Sequence, residues 1–414
     1  MADPLVVLVA ARDEEGRIGT TVASLLAAFP QAEVVLADDG SYDATAEEAE
    51  RAGATVVRLR RLGKGQALTL AEREAPPGRL LLCDADLVGD LAPLLESDAD
   101  LAIAAFERRE GGGFGIAKRT ARALVSTLGG IELREPLSGQ RALSPEARET
   151  CFPLAPGFGC EVRMTIDAAR AGLRVEECEL DLRHRATGRD ASGFLHRGRQ
   201  LLDAVLACGP TATNHRGLRL PLVGGLVALG GCGASARTRT GVAAIALLGL
   251  ADDLWSGPER GFKAHLAKGS TTGVAKALGI PLVALATTRS LRKAAVVALA
   301  ANALNQLDTR PGRALKVFVT GAALVRGDAA RYLSLAVLLA PYDLREMTML
   351  GDAGSNAFGA VLGLESVRRL TGRRRASAIG ALAVVTLLGE QRSLGSLIET
   401  TPGLRTLDAL GRYP

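Results

Sequence analysis

Residues 32–53 read AEVVLADDGSYDATAEEAERAG, and the fold of the N-terminal half follows from this stretch. AEVVLADD (32–39) is an apolar, β-branched run of strand length, and ATAEEAERAG (44–53) is a helix pattern closed by a glycine. DDGS between them is a turn sequence. The unit recurs on either side. LVVLVAA (5–11) is a strand followed by the helix RIGTTVASLLAAF (17–29), TVVRLR (55–60) is a third strand and RLLLCDAD (79–86) a fourth. Strands alternating with helices predict a mostly parallel, Rossmann-like α/β sheet covered on both faces. Functional groups of such sheets gather at the carboxyl ends of the strands, where Asp38, Asp39, Asp84 and Asp86 fall.

At 414 residues the chain is too long for one typical core, so two domains are expected. The net charge of +5 is mild and aromatics make up only 3%. Basic residues without interleaved aromatics favour anionic phosphates or lipid headgroups, and nucleic acid is not expected as a partner. Cys83, Cys151, Cys160, Cys178, Cys208 and Cys232 are scattered, with no CxxC and no Cys/His ligand spacing. They read as reduced thiols, neither a disulfide framework nor a zinc site. The N-terminus MADPLVVLVAARDEE has no basic lead-in to its apolar run, so no cleaved signal peptide is expected.

The chemistry of the N-terminal half lies in two acidic signals. Asp38 or Asp39 is placed to receive a nucleotide's base or ribose. Asp84 and Asp86, one residue apart at a strand end, suit Mg²⁺ or Mn²⁺ held against a diphosphate, because oxygen ligands match hard cations. Taken in order, VVLVAARDEEGRIGTTVASLL, VVLADDGSYDAT, GKGQAL (63–68) and LLLCDADL resemble the family-2, GT-A-fold inverting glycosyltransferases, among them polyprenyl-phosphate sugar synthases and glucosyl-phosphoglycerate synthases. The resemblance runs over residues 4–200. It implies that Glu14 and Asp38 or Asp39 bind the nucleoside, with Ala11 and Asp43 nearby, and that Lys64 and Asp84 belong to the nucleotide-sugar site. It further implies Asp84, Asp86 and His184 (in DLRHRATGRD, 181–190) as metal ligands. PLSGQRALS (136–144) is similar to the family's acceptor-side segment, which marks Ser138, Gly139, Gln140 and Arg141, and Glu161 would lie near the acceptor. The glycine-rich, basic loop ERREGGGFGIAKR (107–119) suits a lid over an anionic acceptor.

From about residue 210 the texture changes. Apolar Gly/Ala/Leu-rich segments at 219–235, 241–251, 274–288, 293–304, 314–325, 331–341, 350–364 and 376–388 alternate with charged connections such as RSLRK (289–293) and RRLTGRRR (368–375). Small residues at close spacing suit helices packed in lipid, although most runs are shorter than the ~20 residues that span a bilayer. An all-α, membrane-embedded half is the expectation, with a buried bundle as its competitor. TNHRGLRLPLVGGLVAL (213–229), LGLADDLWSG (248–257), RGFKAHL (260–266), NALNQLDTRPGRALK (302–316) and MLGDAGSNAFG (349–359) resemble, in that order, the polyprenyl-phosphate phospho-N-acetylhexosamine transferases. That resemblance implies Asp252, Asp253 and Asp308 as catalytic acids and Asp352 as a metal ligand. Lys263, Lys276 and Asn305 would meet lipid phosphate or diphosphate. The pattern is incomplete. Asp308 is followed by TRP rather than a second acid, and residues 391–414 contain no histidine.

The expected organisation is therefore a GT-A domain over 1–205, a linker over 206–218 and a phosphosugar-transferase-like helical membrane domain over 219–414. The function implied is metal-dependent, inverting sugar transfer from a nucleotide sugar to a phosphate-bearing or polyprenyl-phosphate acceptor at the membrane. The alternatives are phosphosugar transfer by the C-terminal half, or a lipid-recruiting scaffold. A multi-pass location in the cell membrane, with the sites facing the cytoplasm, completes the expectation.

Overall fold

The computed structural model describes residues 4–86, 89–106, 116–180, 191–255 and 271–412. The chain divides into two compact units, Met1–Pro221 and Leu222–Pro414.

In the first unit a seven-stranded sheet is built from β1 (Leu5–Ala11), β2 (Glu33–Asp38), β3 (Thr55–Arg58), β4 (Arg79–Asp84), β5 (Leu101–Phe106), β6 (Arg141–Leu143) and β7 (Val175–Leu180), in the order β3-β2-β1-β4-β6-β5-β7. Every pairing is parallel except those of β6, which runs antiparallel to both β4 and β5. The helices are α1 (Ile18–Ala28), α2 (Thr45–Ala52), α3 (Lys64–Glu74), α4 (Ala92–Glu96), α5 (Ile116–Gly129), α6 (Pro145–Cys151), α7 (Cys160–Arg170) and α8 (Ala191–Ala207). Alternate residues of the central strands point to opposite faces, and both faces are apolar. Val7, Val9, Val34 and Leu36 pack on one side with Ile18, Val22 and Leu25 of α1. Val6, Leu8, Val35, Leu80 and Leu82 pack on the other with Leu68 and Ala71 of α3 and Met164 of α7. As its sequence predicts, α2 ends on Gly53 in the left-handed conformation (φ 105°).

Register brings the acidic strand ends together. Ala11 pairs with Asp38 and Ala10 with Asp84, so β1, β2 and β4 finish side by side. Because β6 is antiparallel, with Leu82 opposite Arg141, the segment Ser138–Gln140 enters the sheet at this same carboxyl edge. The stretch 206–218, expected as a linker, is part of the first unit. It holds the end of α8 and β8 (Thr211–Thr213), which pairs with β9 (Arg219–Pro221), and Arg219 Nη1 bonds Asp167 at 2.5 Å.

The second unit is helical: α9 (Ala236–Trp255), α10 (Thr271–Thr288), α11 (Leu291–Leu307), α12 (Arg313–Val325), α13 (Asp328–Leu344), α14 (Gly351–Arg369), α15 (Gly372–Gln391), α16 (Leu394–Thr400) and α17 (Pro402–Ala409). α14 is the core of this unit, buried along most of its length. A Cβ at Gly359 would stand 2.5 Å from the Ala300 carbonyl oxygen, and one at Gly363 2.7 Å from Val297 Cα, so glycine sets how closely α14 meets α11. Such close packing serves a bundle core as well as a bilayer. The expected multi-pass placement in the cell membrane, with its cytoplasm-facing sites, is overturned. Among the described residues no helix is long and apolar enough to cross a membrane. α9 carries Arg237 and Arg239 at one end and Asp252 and Asp253 at the other, and α15 opens on three arginines.

Candidate active site

The loops after β1 and β2 interlock before they present any side chain. Asp13, in the left-handed region (φ 54°), takes Ser41 Oγ on its backbone N–H (3.0 Å) and accepts Tyr42 N–H on its carboxylate (2.9 Å). Glu14 N–H donates to Thr45 Oγ1 at 2.8 Å, Glu15 N–H to Asp43 Oδ2 at 3.1 Å and Gly16 N–H to Glu48 Oε2 at 2.7 Å. Asp43 thus stitches this loop to the first turn of α2. Ala11 contributes its carbonyl, which accepts Asp39 N–H at 2.9 Å. The Glu14 carboxylate accepts from Arg17 Nη1 at 2.8 Å.

The two adjacent aspartates have separate tasks. Asp39 is buried, and both its oxygens accept backbone N–H groups, Leu62 at 2.6 Å and Gly63 at 3.0 Å. Burial raises its pKa, opposed by those same N–H donors. It therefore closes the loop into α3. Asp38 accepts Ser41 N–H and Oγ on Oδ1 alone (3.1 and 2.5 Å). Asp38 is as buried as Asp39, 5% against 6% exposed.

Lys64, the first residue of α3, follows Gly63 (φ 96°) and lies between two acids from distant elements. Its Nζ is 2.6 Å from Asp84 Oδ1 at the end of β4 and 2.8 Å from Glu161 Oε1 in α7. Gln140 Nε2 donates to the other Asp84 oxygen at 2.9 Å, and the Cys160 thiol donates to Glu161 Oε2 at 3.0 Å. Burial works against the charge on Lys64, but Asp84 and Glu161 outweigh it and hold its pKa well above the ordinary lysine value. Asp86, two residues past Asp84 and partly buried, makes no hydrogen bond or ion pair among the described residues. Carboxylate oxygens such as those of Asp84 and Asp86 are hard donors of the kind Mg²⁺ and Mn²⁺ take. His184 lies outside the described residues, and among those described no group of three or more His, Cys, Asp or Glu is arranged to hold a metal.

The acceptor-side segment has a different role from the expected one. Arg141 is fully buried, donating to the carbonyls of Ser138 (2.8 Å) and Pro136 (2.9 Å) and to Thr165 Oγ1 (2.8 Å). It ties down the turn before β6 and cannot reach an acceptor. Ser138 is also buried. Gly139 touches the donor side. A Cβ there would stand 2.5 Å from Asp84 Oδ2 and 2.6 Å from Lys64 Nζ. Cys160 is the contributor that the sequence left unmarked; its position before Glu161 is the one available signal. Of the loop 107–119, residues 107–115 lie outside the described residues and 116–119 open α5.

In the second unit the expected acids also meet. Lys276 Nζ lies 2.6 Å from Asp252 Oδ2 and also pairs with Asp352. Asn305 Nδ2 donates to Asp352 Oδ1 at 2.6 Å and to Ser355 Oγ at 3.1 Å. Asp253 accepts the N–H groups of Asp352 (2.8 Å) and Ala353 (2.9 Å), capping α14, and burial together with the Asp352 charge pushes its pKa up to about 7. Asp308 is pushed well above the carboxylate range by burial and by the neighbouring Asp343 and Asp352. Lys276 thus lies between Asp252 and Asp352, as Lys64 lies between Asp84 and Glu161 in the first unit. Lys263 lies outside the described residues.

Asp343 gives this unit a pH signature. Burial raises its pKa to about 6, against the opposing Gly312 N–H (2.6 Å) and Arg412 and with Glu346 adding to the rise. A carboxyl raised above its unfolded value of 3.8 adds stability in full below that value and loses it as pH climbs through about 6. Asp408, held low in spite of burial by Arg313 and Arg412, acts only at more acid pH. The second unit's melting temperature should therefore fall as pH rises from about 4 to about 6, with Asp253 extending the fall toward pH 7, and Asp343→Asn should reduce that slope without abolishing it, as scanning calorimetry would record.

Residues 6–149 match the model of glycosyl transferase family 2, a match lying wholly within the first unit. Glucosyl-3-phosphoglycerate synthase of Mycolicibacterium paratuberculosis is 31% identical over 202 residues, covering 40% of this chain and 60% of that protein. The Mycolicibacterium smegmatis enzyme is 30% identical over 238 residues, 49% of this chain and 77% of its own. The Mycobacterium tuberculosis enzyme solved with Mn²⁺, uridine diphosphate and glucosyl-3-phosphoglycerate is 27% identical, with 51% of this chain and 84% of that one covered at a TM-score of 0.40. It has also been solved with Mg²⁺ and uridine diphosphate. The chain spans 60% of the length of the first of these relatives. It belongs to glycosyl transferase family 2, and its first unit is the mostly parallel GT-A domain of that family.

Proposed function

We propose that the first unit transfers a sugar, with inversion, from a nucleotide-sugar donor to a phosphate-bearing acceptor, as a divalent-metal-dependent glycosyltransferase. The observation that carries this is the carboxyl-edge junction in which Lys64 lies between Asp84 and Glu161 while Asp86 makes no hydrogen bond or ion pair among the described residues. Asp38 receives the nucleoside in the crevice between β1 and β2. Asp84 and Asp86, with His184 as the third expected ligand, hold Mg²⁺ or Mn²⁺, which when bound neutralises the departing nucleoside diphosphate. Lys64 adds a fixed positive charge beside the same carboxylates. The acceptor hydroxyl oxygen attacks C1 from the opposite side, the bond from C1 to the diphosphate oxygen breaks with its electron pair on the diphosphate, and the hydroxyl proton passes to the departing diphosphate. Glu161 has both oxygens engaged, by Lys64 and by Cys160, so its part is to position Lys64 rather than to take the acceptor's proton.

The named complexes of the relatives favour a uridine-diphosphate sugar as donor and a small phosphorylated acceptor such as phosphoglyceric acid. The test is a screen of nucleotide sugars with Mn²⁺ or Mg²⁺ and phosphoglyceric acid, products read by mass spectrometry. A glycosylated phosphoglycerate is the expected product. Turnover with no donor under either metal would end the proposal.

A second reading, phosphosugar transfer by the second unit, has one observation behind it. Asp252, Asp352, Asn305 and Lys276 come from four helices to one place, and among the described residues the buried Asp252 Oδ1 has no hydrogen-bond partner. Phosphosugar transfer that survives Asp86→Ala and is lost in Asp352→Asn would favour it.

A further inference from the structure

The sequence marks Gln140 as acceptor-side, but the fold turns it toward Asp84. Gln140 is fully buried, and its backbone carbonyl accepts the Ala104 N–H of β5 at 3.0 Å, so the residue is fixed to the sheet before its side chain is placed. The turn that leads into it is held as well, by Arg141 on the carbonyls of Pro136 and Ser138. From this anchored position Nε2 donates to Asp84 Oδ2 at 2.9 Å, while Lys64 Nζ takes Oδ1 at 2.6 Å. An amide can meet a carboxylate only with its NH₂ end, and Ser138 Oγ lies 3.4 Å from the other end, Oε1. The last torsion of an aspartate is soft. One donor on one oxygen leaves the carboxylate free to turn, and a second donor on the other oxygen stops it.

We propose that Gln140 is a positioning residue for the metal: together with Lys64 it sets the plane of the Asp84 carboxylate in the orientation that takes the divalent ion. The inference rests on the metal-dependent transfer proposed above and adds to it the group that orients the ligand. Partners that hydrogen-bond a metal-ligating carboxylate tune metal affinity without touching the ion. A neutral amide suits this place. It fixes an oxygen without adding positive charge, whereas a second cation beside Lys64 would compete with the ion for Asp84 and Asp86. With no exposed surface and its amide turned to Asp84, Gln140 offers no group to an acceptor.

The test is Mn²⁺ binding by the full chain with uridine diphosphate present, read from the free-ion electron paramagnetic resonance signal, beside Mn²⁺ titrations of sugar transfer. Gln140→Leu and Gln140→Met keep most of the volume and lose the donor. Each should weaken Mn²⁺ binding by about tenfold to a hundredfold and raise the Mn²⁺ needed for half-maximal transfer by a similar factor, with the KM for the acceptor close to the parent's. Saturating Mn²⁺ should restore most of the parent's turnover, which a misfolded chain would not allow. Mn²⁺ binding unchanged in both variants, or turnover that saturating Mn²⁺ does not recover, would overturn the assignment. A raised acceptor KM with unchanged Mn²⁺ dependence would overturn it in favour of an acceptor-side role. A parent chain that neither binds Mn²⁺ nor transfers sugar would end the proposed function itself, and this assignment with it.

Discussion

Replacing Asp86 with alanine should lower sugar transfer by at least about a hundredfold while leaving the fold intact. The carboxylate is partly buried two residues past β4 and satisfies no neighbour among the described residues, so its removal orphans no donor there. The loss should appear in turnover and in the response to Mn²⁺, with the melting temperature of the first unit nearly unchanged. Asp39→Ala is the instructive contrast. That carboxylate accepts the buried N–H groups of Leu62 and Gly63, so its removal should destabilise the loop into α3 as well as reduce activity. If the two variants were equally stable and equally slow, the separation of roles within the acidic edge would be wrong.

Gly139→Ala should produce the second large effect. The added methyl would stand 2.5–2.7 Å from both Asp84 oxygens and Lys64 Nζ. These are ends of side chains, which move at modest cost, so the protein should fold and melt within a few degrees of the parent. The junction that places Asp84 and Lys64 would shift, however, and misplacement of about 1 Å costs on the order of a hundredfold in rate. Gly65→Ala, at the residue after Lys64, should behave in the opposite sense. There the methyl would overlap the backbone carbonyl of Ala155, which cannot step aside, so α3 itself must move and stability should fall by about 1–3 kcal/mol or more. Paired measurements of kcat/KM and Tm on the two alanine variants separate a site effect from a folding effect. A Gly139→Ala enzyme with full activity would show that Asp84 and Lys64 do not act from the positions described.

Much of this architecture was legible because it is local. The strand–turn–helix of 32–53, the glycine cap at Gly53 and the aspartates at the end of β4 are each written within a few residues, where period and turn chemistry decide. What escaped depends on partners far along the chain. Gln140 reaches Asp84 across 56 positions, and Lys64 meets Glu161 only because α3 and α7 cover the same face of the sheet. The antiparallel β6 is three residues long, too short to announce its direction, yet that direction is what brings Gly139 to the acidic edge. Arg141 misled for a similar reason. It was marked by the resemblance of 136–144 to an acceptor-side segment, and nothing in that segment announces the two carbonyls and the threonine around it. In the second unit, the glycines of α14 would have suited lipid-packed helices equally well. The length of each apolar run, and the charges at its ends, were the better guide.

The central claim is that Asp84 and Asp86 of the first unit serve metal-dependent sugar transfer. Its most direct test is transfer of radiolabelled glucose from uridine diphosphate glucose to phosphoglyceric acid by the full chain, with Mn²⁺ and with a chelator, in parent and Asp86→Ala forms. Labelled product that requires Mn²⁺ and vanishes in the Asp86→Ala chain is the predicted result. Product formed equally in chelator, or equally by the Asp86→Ala chain, would contradict it.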